Sequence, residues 1–428
     1  MEKNKNTSKA QFDVLIIGGG AAGFFTAINC AQQNPKLKIA ILEKSKNVLS
    51  KVKVSGGGRC NVTHAEFDPM QLAKNYPRGH KELRGPFHQF ATGDMMAWLA
   101  DENVPLKIEE DGRIFPESDS SQTIIDTFLK QIKAFQIELK TQCGAENFSL
   151  TTDNVWKVET KNENFLAKHL VFASGSSTKI WNLLAQKEYR IIEPVPSLFT
   201  FNIKNALIEN LAGISWETSV EVLDEKQTLE KSKLRQLQSS GPMLITHWGL
   251  SGPCILKLSA WGARSFHQLN YQFQLKVNWL PNLSEDEVTQ QLLQQKATNP
   301  KQQLAANPLF GFPKRLWHSF VKESGLSAEG KWAGISNVEL KKLQTILTES
   351  IFEINGKSTF KEEFVTAGGV DLKQINFKEF SSKLHPNLYF AGEILNIDAV
   401  TGGFNFQNAW TGGFVIAKSI SAKEKAVS

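Results

Sequence analysis

The chain has 428 residues, of which 41% are apolar and 21% charged, a composition typical of a folded protein with more than one domain. Its net charge of +6 is small and scattered, and it has no Lys/Arg block of the kind that follows a phosphate backbone. The apolar run 14–28 is too short to cross a membrane. We therefore expect a cytoplasmic protein that acts on a small molecule, without nucleic acid or membrane partners. The sequence carries no signal of its oligomeric state.

The N-terminal part predicts a strand–helix–strand unit. "FDVLIIGGGAAG" reads as a buried strand at 13–17 and a tight turn, and "KIAILEK" as a second strand that ends at Glu43. Apolar spacing predicts helices at 91–104 and 121–136. "FLAKHLVFASG" is a further strand, which ends in a turn at Gly175.

The character of the sequence changes twice further along. Alternating segments predict a sheet or small barrel at 196–282, and helical patterns follow at 283–350, where Ser284 is a candidate N-cap. Buried strands and glycine turns return at 351–428. The predicted fold is α/β, with one domain built from 1–195 and 351–428. An insert with a β-barrel part and a helical part interrupts it.

The first glycine cluster has the G-x-G-x-x-G spacing, with glycines at 18, 20 and 23, after a strand and at the start of a helix. In such turns the second glycine lets the backbone approach a pyrophosphate, and the helix N-terminus offers amides to it. Glu43, twenty residues beyond Gly23, is placed to bind ribose hydroxyls. The predicted cofactor contacts of this segment are Gly18, Gly20, Ala21, Ala22, Gly23, Glu43 and Lys44.

This motif serves both NAD and FAD. FAD is favoured because the chain returns at its C-terminal end with a second glycine-rich turn, and a flavin ring needs protein around it. No motif indicates a flavinylated His or Cys, so the FAD is expected to be non-covalent. No second G-x-G-x-x-G unit is present, so NAD(P)H is expected to bind only transiently, as the reductant.

The second glycine cluster is "SGGGRCN" at 55–61. Glycines allow backbone amides to approach a flat ring or a phosphate. Arg59 is a candidate partner for pyrophosphate, flavin or substrate and a candidate catalytic residue. A glycine-rich surface loop is the alternative. The predicted cofactor contacts of this segment are Lys53, Ser55, Gly57, Gly58, Arg59, Cys60 and Asn61.

The four cysteines are Cys30, Cys60, Cys143 and Cys254, and none forms a CxxC pair or has zinc-ligand spacing. A reducing compartment fits this pattern. We therefore expect neither disulfide reduction through a local dithiol nor a bound metal ion.

The C-terminal glycine turn is "TGGFNFQNAW", at the start of a predicted helix. Amides of Gly402, Gly403 and Phe404 are candidates to face the flavin edge that becomes negative on reduction. Asn405 is a candidate hydrogen-bond partner. A plain helix start is the alternative, and Trp410 is expected to pack in the core. Gly175 and Gly392, each after a strand, complete the predicted site.

Six motifs resemble those of the BaiN/RdsA-like (YhiN-type) family of bacterial NAD(P)/FAD-dependent oxidoreductases. They are "SGGGRCNVT" (55–63), "GRIFPESDSS" (112–121), "THWGLSGPCIL" (246–256), "FPKRLW" (312–317), "VTAGGVDL" (365–372) and "LYFAGEILNIDAVTGGFNFQNAWTGG" (388–413). Together with the glycine motif, the resemblance implies that the domain built from 1–195 and 351–428 is a Rossmann-like FAD-binding domain, interrupted by an insert with a β-barrel part and a helical part. It also implies that Glu393 points at the ribityl or phosphate part of the flavin.

The chain departs from the family pattern at two positions. His64 stands where Asn is common, and Asn396 where Asp is common. His247 is a candidate general acid for the substrate, with a structural histidine as the alternative. For Arg113 the same two alternatives, a role in the reaction or a structural role, stay open.

These features predict an FAD-dependent oxidoreductase that passes hydride from N5 to an organic acceptor, and the family resemblance implies that this acceptor is a conjugated C=C. Two alternatives stay open. One is an FAD-dependent RNA-modifying enzyme, and the other is a non-catalytic flavin-binding redox sensor.

Overall fold

The computed structural model describes residues 11–224, 227–358 and 365–427. The predicted domain limits at residues 1 and 428 lie outside them. The described residues form two compact units, one from 11–195 with 365–427 and the other from 196–358. The first unit is therefore built from two distant parts of the chain.

Residues 11–197 supply ten strands and seven helices. The strands are β1 (Phe12–Ile17), β2 (Ile39–Leu42), β3 (Thr63–His64), β4 (Leu106–Ile108), β5 (Arg113–Pro116), β6 (Glu138–Lys140), β7 (Ala145–Leu150), β8 (Trp156–Thr160), β9 (Asn164–Phe172) and β10 (Ile191–Ser197). The helices are α1 (Ala21–Gln33), α2 (Ser50–Gly58), α3 (Pro69–Ala73), α4 (Arg84–Phe87), α5 (Thr92–Asp101), α6 (Ser121–Ala134) and α7 (Thr178–Ala185).

The described part of the insert, 196–224 and 227–358, contains seven strands and five α-helices. The strands are β11 (Thr200–Asn202), β12 (Ser215–Leu223), β13 (Gln238–Ile245), β14 (Gly249–Ser251), β15 (Gln272–Asn278), β16 (Ser350–Asn355) and β17 (Lys357–Ser358). The helices are α8 (Lys231–Leu234), α9 (Gly252–Gln268), α10 (Glu285–Thr298), α11 (Lys314–Glu323) and α12 (Asn337–Glu349). The C-terminal segment adds β18 (Val365–Val370), β19 (Ile375–Asn376), β20 (Ser381–Ser382), β21 (Leu388–Phe390) and α13 (Phe404–Val427).

The central sheet of the first unit runs in the order β19-β20-β21-β9-β1-β2-β6. Its middle is parallel from β21 to β6, and β7 and β8 form an antiparallel extension on β9. The apolar sequence of β1 is almost wholly buried, as expected of a central parallel strand. The carboxyl ends of β21, β9, β1 and β2 therefore lie along one edge, where such sheets bind ligands.

The insert is organised around a seven-stranded sheet of antiparallel pairs, in the order β16-β15-β12-β13-β14-β11-β17. Its core includes the fully buried tryptophans Trp279, Trp317 and Trp332. Ser284 caps α10 through a capping box with Glu287, as predicted. The sequence-derived return at residue 351 falls within β16, which pairs with β15, so the insert sheet extends beyond that limit.

Candidate cofactor and active site

The turn between β1 and α1 has two packed glycines and one open glycine. A Cβ on Gly18 would lie 2.4 Å from the Ala173 carbonyl oxygen, and a Cβ on Gly23 would lie 2.0 Å from the Gly18 oxygen. At Gly20 a Cβ would meet nothing within 4 Å, and no side chain caps α1 there. The helix end at Ala21 thus offers backbone amides beside open space, which is the arrangement that binds a pyrophosphate.

Glu43 lies beside this turn at the end of β2. One carboxylate oxygen accepts from the Gly19 amide at 2.8 Å and the other from the Ser45 amide at 2.7 Å. Each carboxylate oxygen has a second lone pair, so ribose hydroxyls can still donate to it. The two amides fix the carboxylate next to the glycine turn.

A cleft of about 620 Å³ opens at these strand ends, and its lining includes Gly18, Glu43 and Lys44. The Oγ of Ser174, which also lines it, is buried without a hydrogen-bond partner among the described residues. Ser177 begins α7 at the same cleft and makes no side-chain cap. Because buried hydroxyls are normally hydrogen-bonded, this lining fits a polar ligand such as the adenosine end of FAD.

The turns after β9 and β21 place Gly175 and Gly392 at the same edge of the sheet. A Cβ on Gly392 would lie 3.1 Å from the Ala22 Cβ, and one on Gly175 would lie 3.8 Å from Glu393 Oε2. Glu393 forms an ion pair with Lys51 of α2 at 2.5 Å. Predicted cofactor residues from both parts of the chain are therefore neighbours.

The second glycine cluster lies where α2 loses its helical form. Ser55 is extended, and Gly56, Gly57 and Gly58 all have positive φ. A Cβ on Gly56 would lie 2.8 Å from the Phe115 ring, whereas at Gly57 it would meet open space. The turn thus has one packed side and one side open to a ligand.

Arg59 is held by the chain's own acids. Its guanidinium lies 4.0 Å from the Phe115 ring centre, and Nη1 lies 2.6 Å from Glu109 Oε1 and 3.5 Å from Asp119 Oδ1. The hydrogen bond to Glu109 raises the pKa of Arg59. The charge partners of Arg59 among the described residues are therefore two carboxylates, and its contact with phosphate or flavin stays a prediction.

Cys60 and Asn61 point into the protein. Cys60 is fully buried, and burial raises the pKa of its thiol to about 12, so the thiol is protonated at neutral pH. With the Asn61 amide oriented so that both of its groups have partners, its oxygen accepts from the Gly403 amide and its nitrogen donates to the Thr63 carbonyl. Asn61 thereby ties the second glycine cluster to the turn before α13.

The turn before α13 is closed by several contacts. His64 Nδ1 lies 3.1 Å from the Gly402 carbonyl oxygen, and its ring centre lies 4.5 Å from that of Phe404. Because Asn61 uses the Gly403 amide, the free helix amides begin at Phe404. The side chain of Asn405 bonds Ala399 through both its oxygen and its nitrogen, and its bond to the cofactor stays a prediction.

Of the remaining residues named in the sequence analysis, two are exposed, one forms an ion pair and one is buried. His247 is an exposed residue of the insert, in the turn between β13 and β14, and Lys53 is exposed on α2 of the first unit. Arg113 binds Asp111 at 2.7 Å. Trp410 is fully buried and donates to the Val62 carbonyl, which agrees with its predicted packing role.

Sequence reasoning missed four residues that this geometry brings into the site: Lys51, His64, Tyr76 and Ser174. The Tyr76 hydroxyl donates to the Phe404 carbonyl at 2.5 Å, next to the helix start. Only His64 had a signal in the sequence, since it departs from the family pattern. The partners of Lys51 and Tyr76 and the burial of Ser174 depend on contacts between distant segments.

No helix within 11–224, 227–358 and 365–427 is long and apolar enough to cross a membrane. In the same ranges no group of three or more His, Cys, Asp or Glu side chains is placed to hold a metal ion.

The model of the HI0933-like protein Rossmann domain family matches residues 12–419, nearly the whole chain. The chain belongs to the HI0933-like family. This confirms the resemblance drawn from the motifs, and with it the class of FAD-dependent oxidoreductases. It also confirms the predicted α/β fold with a Rossmann-like FAD-binding domain.

Two curated relatives align along nearly their whole length. A ribosomal RNA dihydrouridine synthase of Haemophilus influenzae is 27% identical over 95% of this chain and 98% of its own. A 3-dehydro-bile acid delta(4,6)-reductase of Clostridium scindens is 23% identical over 95% and 98%. A solved quinol–fumarate reductase, 12% identical, shares the fold with a TM-score of 0.51 over 99% of this chain and 73% of its own.

Proposed function

We propose that this protein binds FAD non-covalently and uses it to reduce a C=C bond conjugated to a carbonyl group, with NAD(P)H as the reductant. The observation that carries the proposal is the meeting of three glycine turns, at Gly20, Gly175 and Gly392, along one edge of the parallel sheet. Bound FAD would supply a hydride acceptor and donor at its N5 atom. The chain's own residues would bind and orient it.

The names of the relatives support this substrate class. A dihydrouridine differs from uridine by two hydrogens added across a C=C conjugated to a ring carbonyl. A delta(4,6)-reductase of a 3-dehydro-bile acid adds hydrogens to C=C bonds conjugated to the 3-oxo group. The shared chemistry is hydride addition to a polarised C=C, so we propose that chemistry for this chain.

The binding residues divide according to the parts of the cofactor. The Gly20 turn and the α1 N-terminus would hold the pyrophosphate, and Glu43 would hold the adenosine ribose. The N-terminus of α13 at Phe404 would face the flavin ring, where its partial positive charge stabilises the negative charge of reduction. The open side at Gly57 would allow the backbone to approach the ring.

An RNA substrate is the second candidate, because two relatives, from Haemophilus influenzae and Escherichia coli, are named ribosomal RNA dihydrouridine synthase. In the insert, α11 carries exposed Lys314, Arg315 and Lys322, a basic face that suits phosphate contacts. The earlier expectation of no nucleic acid rested on the lack of a Lys/Arg block in the sequence. A helix distributes such residues over several turns.

The test begins with the purified protein. We expect a flavin absorbance spectrum, and acid precipitation should release all of the colour as FAD. Colour retained in the pellet would contradict non-covalent binding, and released FMN would contradict the dinucleotide site.

Reduction is then followed anaerobically with NADH and with NADPH. Reoxidation is measured with a cyclic enone and with uridine-containing RNA. The controls are the corresponding saturated ketone and the same RNA with dihydrouridine in place of uridine. Reoxidation by the enone supports a small substrate, and reoxidation by RNA alone supports the second candidate. A flavin that neither nucleotide reduces, or that neither acceptor reoxidises, contradicts the proposed reaction.

A further inference from the structure

His64 is wedged against the start of α13. Its Nδ1 lies 3.1 Å from the Gly402 carbonyl oxygen, and its ring packs on Phe404. On another side, a Cβ on Gly112 would lie 2.7 Å from Nε2, so the ring has little room to turn. Because a carbonyl oxygen only accepts, Nδ1 carries a hydrogen in the neutral ring and Nε2 is the basic atom.

The charges that face His64 come from the loop after β3 and from the β4–β5 turn. Burial of the half-buried ring lowers the pKa of His64, the Gly402 carbonyl, Asp111 and Glu66 oppose this, and Arg113 lowers it further. The first turn of α13 carries no acid. The positive end of that helix also disfavours a second positive charge. His64 is therefore neutral at neutral pH, and a negative charge placed next to it would raise its pKa.

We propose that His64 couples proton uptake to flavin reduction at the α13 N-terminus. Its Nδ1–H holds the Gly402 carbonyl, and its Nε2 takes a proton from solvent when an electron pair enters the flavin. The electron pair and one proton come from the hydride donor, and the proton on Nε2 comes from water. The inference rests on the proposed function, which places the flavin ring at this helix end.

The family pattern provides the matched control. Asn, common at this position in the family, has an amide that can donate to the Gly402 carbonyl but cannot take up a proton. His64→Asn therefore keeps the positioning contact and removes the titration. His64→Phe has the opposite character, because it keeps a ring on Phe404 and removes the donor.

The decisive measurement is the midpoint potential of the bound flavin from about pH 5 to pH 8, the range in which histidine titrates. Negative charge on the reduced flavin raises the pKa of His64, so the extra proton is bound only between its pKa in the oxidised and in the reduced protein. Within that window the wild-type reduction equilibrium should change by a further tenfold per pH unit. For a two-electron couple this is ~30 mV per pH unit, and His64→Asn should lack it.

The positioning part is measured separately, by titrating FAD into the apo-protein and following flavin fluorescence. His64→Asn should bind FAD like the wild type. His64→Phe should bind about tenfold more weakly, the usual effect of losing one such hydrogen bond. Thermal melting of each apo-variant checks that it is folded.

The outcomes separate the inference from the proposed function. A flavin-loaded wild type and His64→Asn with equal pH slopes would overturn proton coupling, and a His64→Phe variant with wild-type affinity would overturn positioning. A wild-type protein that binds no FAD would contradict the proposed function and the inference with it.

Discussion

At the scale of single residues, Arg59 has a partner that changes how its role is tested. Its guanidinium is bound by Glu109 and stacked on Phe115. If it also contacts the cofactor, Arg59→Ala should weaken FAD binding about tenfold to hundredfold, the effect of a charge-assisted hydrogen bond. FAD titration of the apo-protein measures this.

The matched control for Arg59 is Glu109→Gln, which removes the competing charge and keeps the size of the side chain. It should leave FAD affinity unchanged or raise it. Equal affinity of Arg59→Ala and the wild type would leave Arg59 a purely structural role, in which it packs on Phe115 of β5.

The residue types of the site were predictable from the sequence, but their partners were not. The spacing of Gly18, Gly20 and Gly23 and the position of Glu43 follow from the strand–turn–helix pattern. By contrast, the bond of Asn405 to Ala399 and the burial of Cys60 depend on how distant segments pack. The residues near each position in the sequence do not determine which distant segments pack against it.

At the scale of elements, the β1–α1 turn allows a test that separates folding from binding. Gly20 has φ −94° and open space beside it, so Gly20→Val should fold normally. Its side chain would occupy the space assigned to the pyrophosphate, so FAD should be lost. The flavin content of the purified variant and its apo-protein melting temperature measure the two effects.

Gly18→Val is the contrasting variant in the same turn. Gly18 has φ +117° and a Cβ there would lie 2.4 Å from a backbone oxygen, so the variant should be destabilised by at least about 1–3 kcal/mol. A Gly20→Val protein that keeps its full flavin content would remove the argument for a phosphate site at this turn.

Most elements with strong periodicity were predictable. The helices expected at 91–104 and 121–136 occur as α5 and α6, which end three and two residues earlier than predicted. Helix α9 was not predicted, because Gly252 and Pro253 at its start are typical of a loop. Here Pro occupies the first turn, where its missing N–H costs nothing.

At the scale of the whole molecule, FAD should stabilise the unit that contains the glycine turns. A ligand that binds only the folded state at 100 times its Kd adds about 2.7 kcal/mol. We expect the thermal transition of that unit to rise with FAD concentration in the wild type and to stay fixed in Gly20→Val. A wild-type transition insensitive to FAD would contradict a site within this unit.

The pairing of β21 with β9 has a consequence for how the protein is made. β9 is synthesised more than two hundred residues before β21, its neighbour in the sheet, and the insert emerges from the ribosome between them. Domains generally fold as units during synthesis. The N-terminal part of this domain therefore cannot complete its sheet, and the edge of β9 that pairs with β21 stays uncovered, until residues 388–390 have been synthesised and have left the ribosome. Nascent chains released before that point should retain no flavin, and they are the species that chaperones would need to protect.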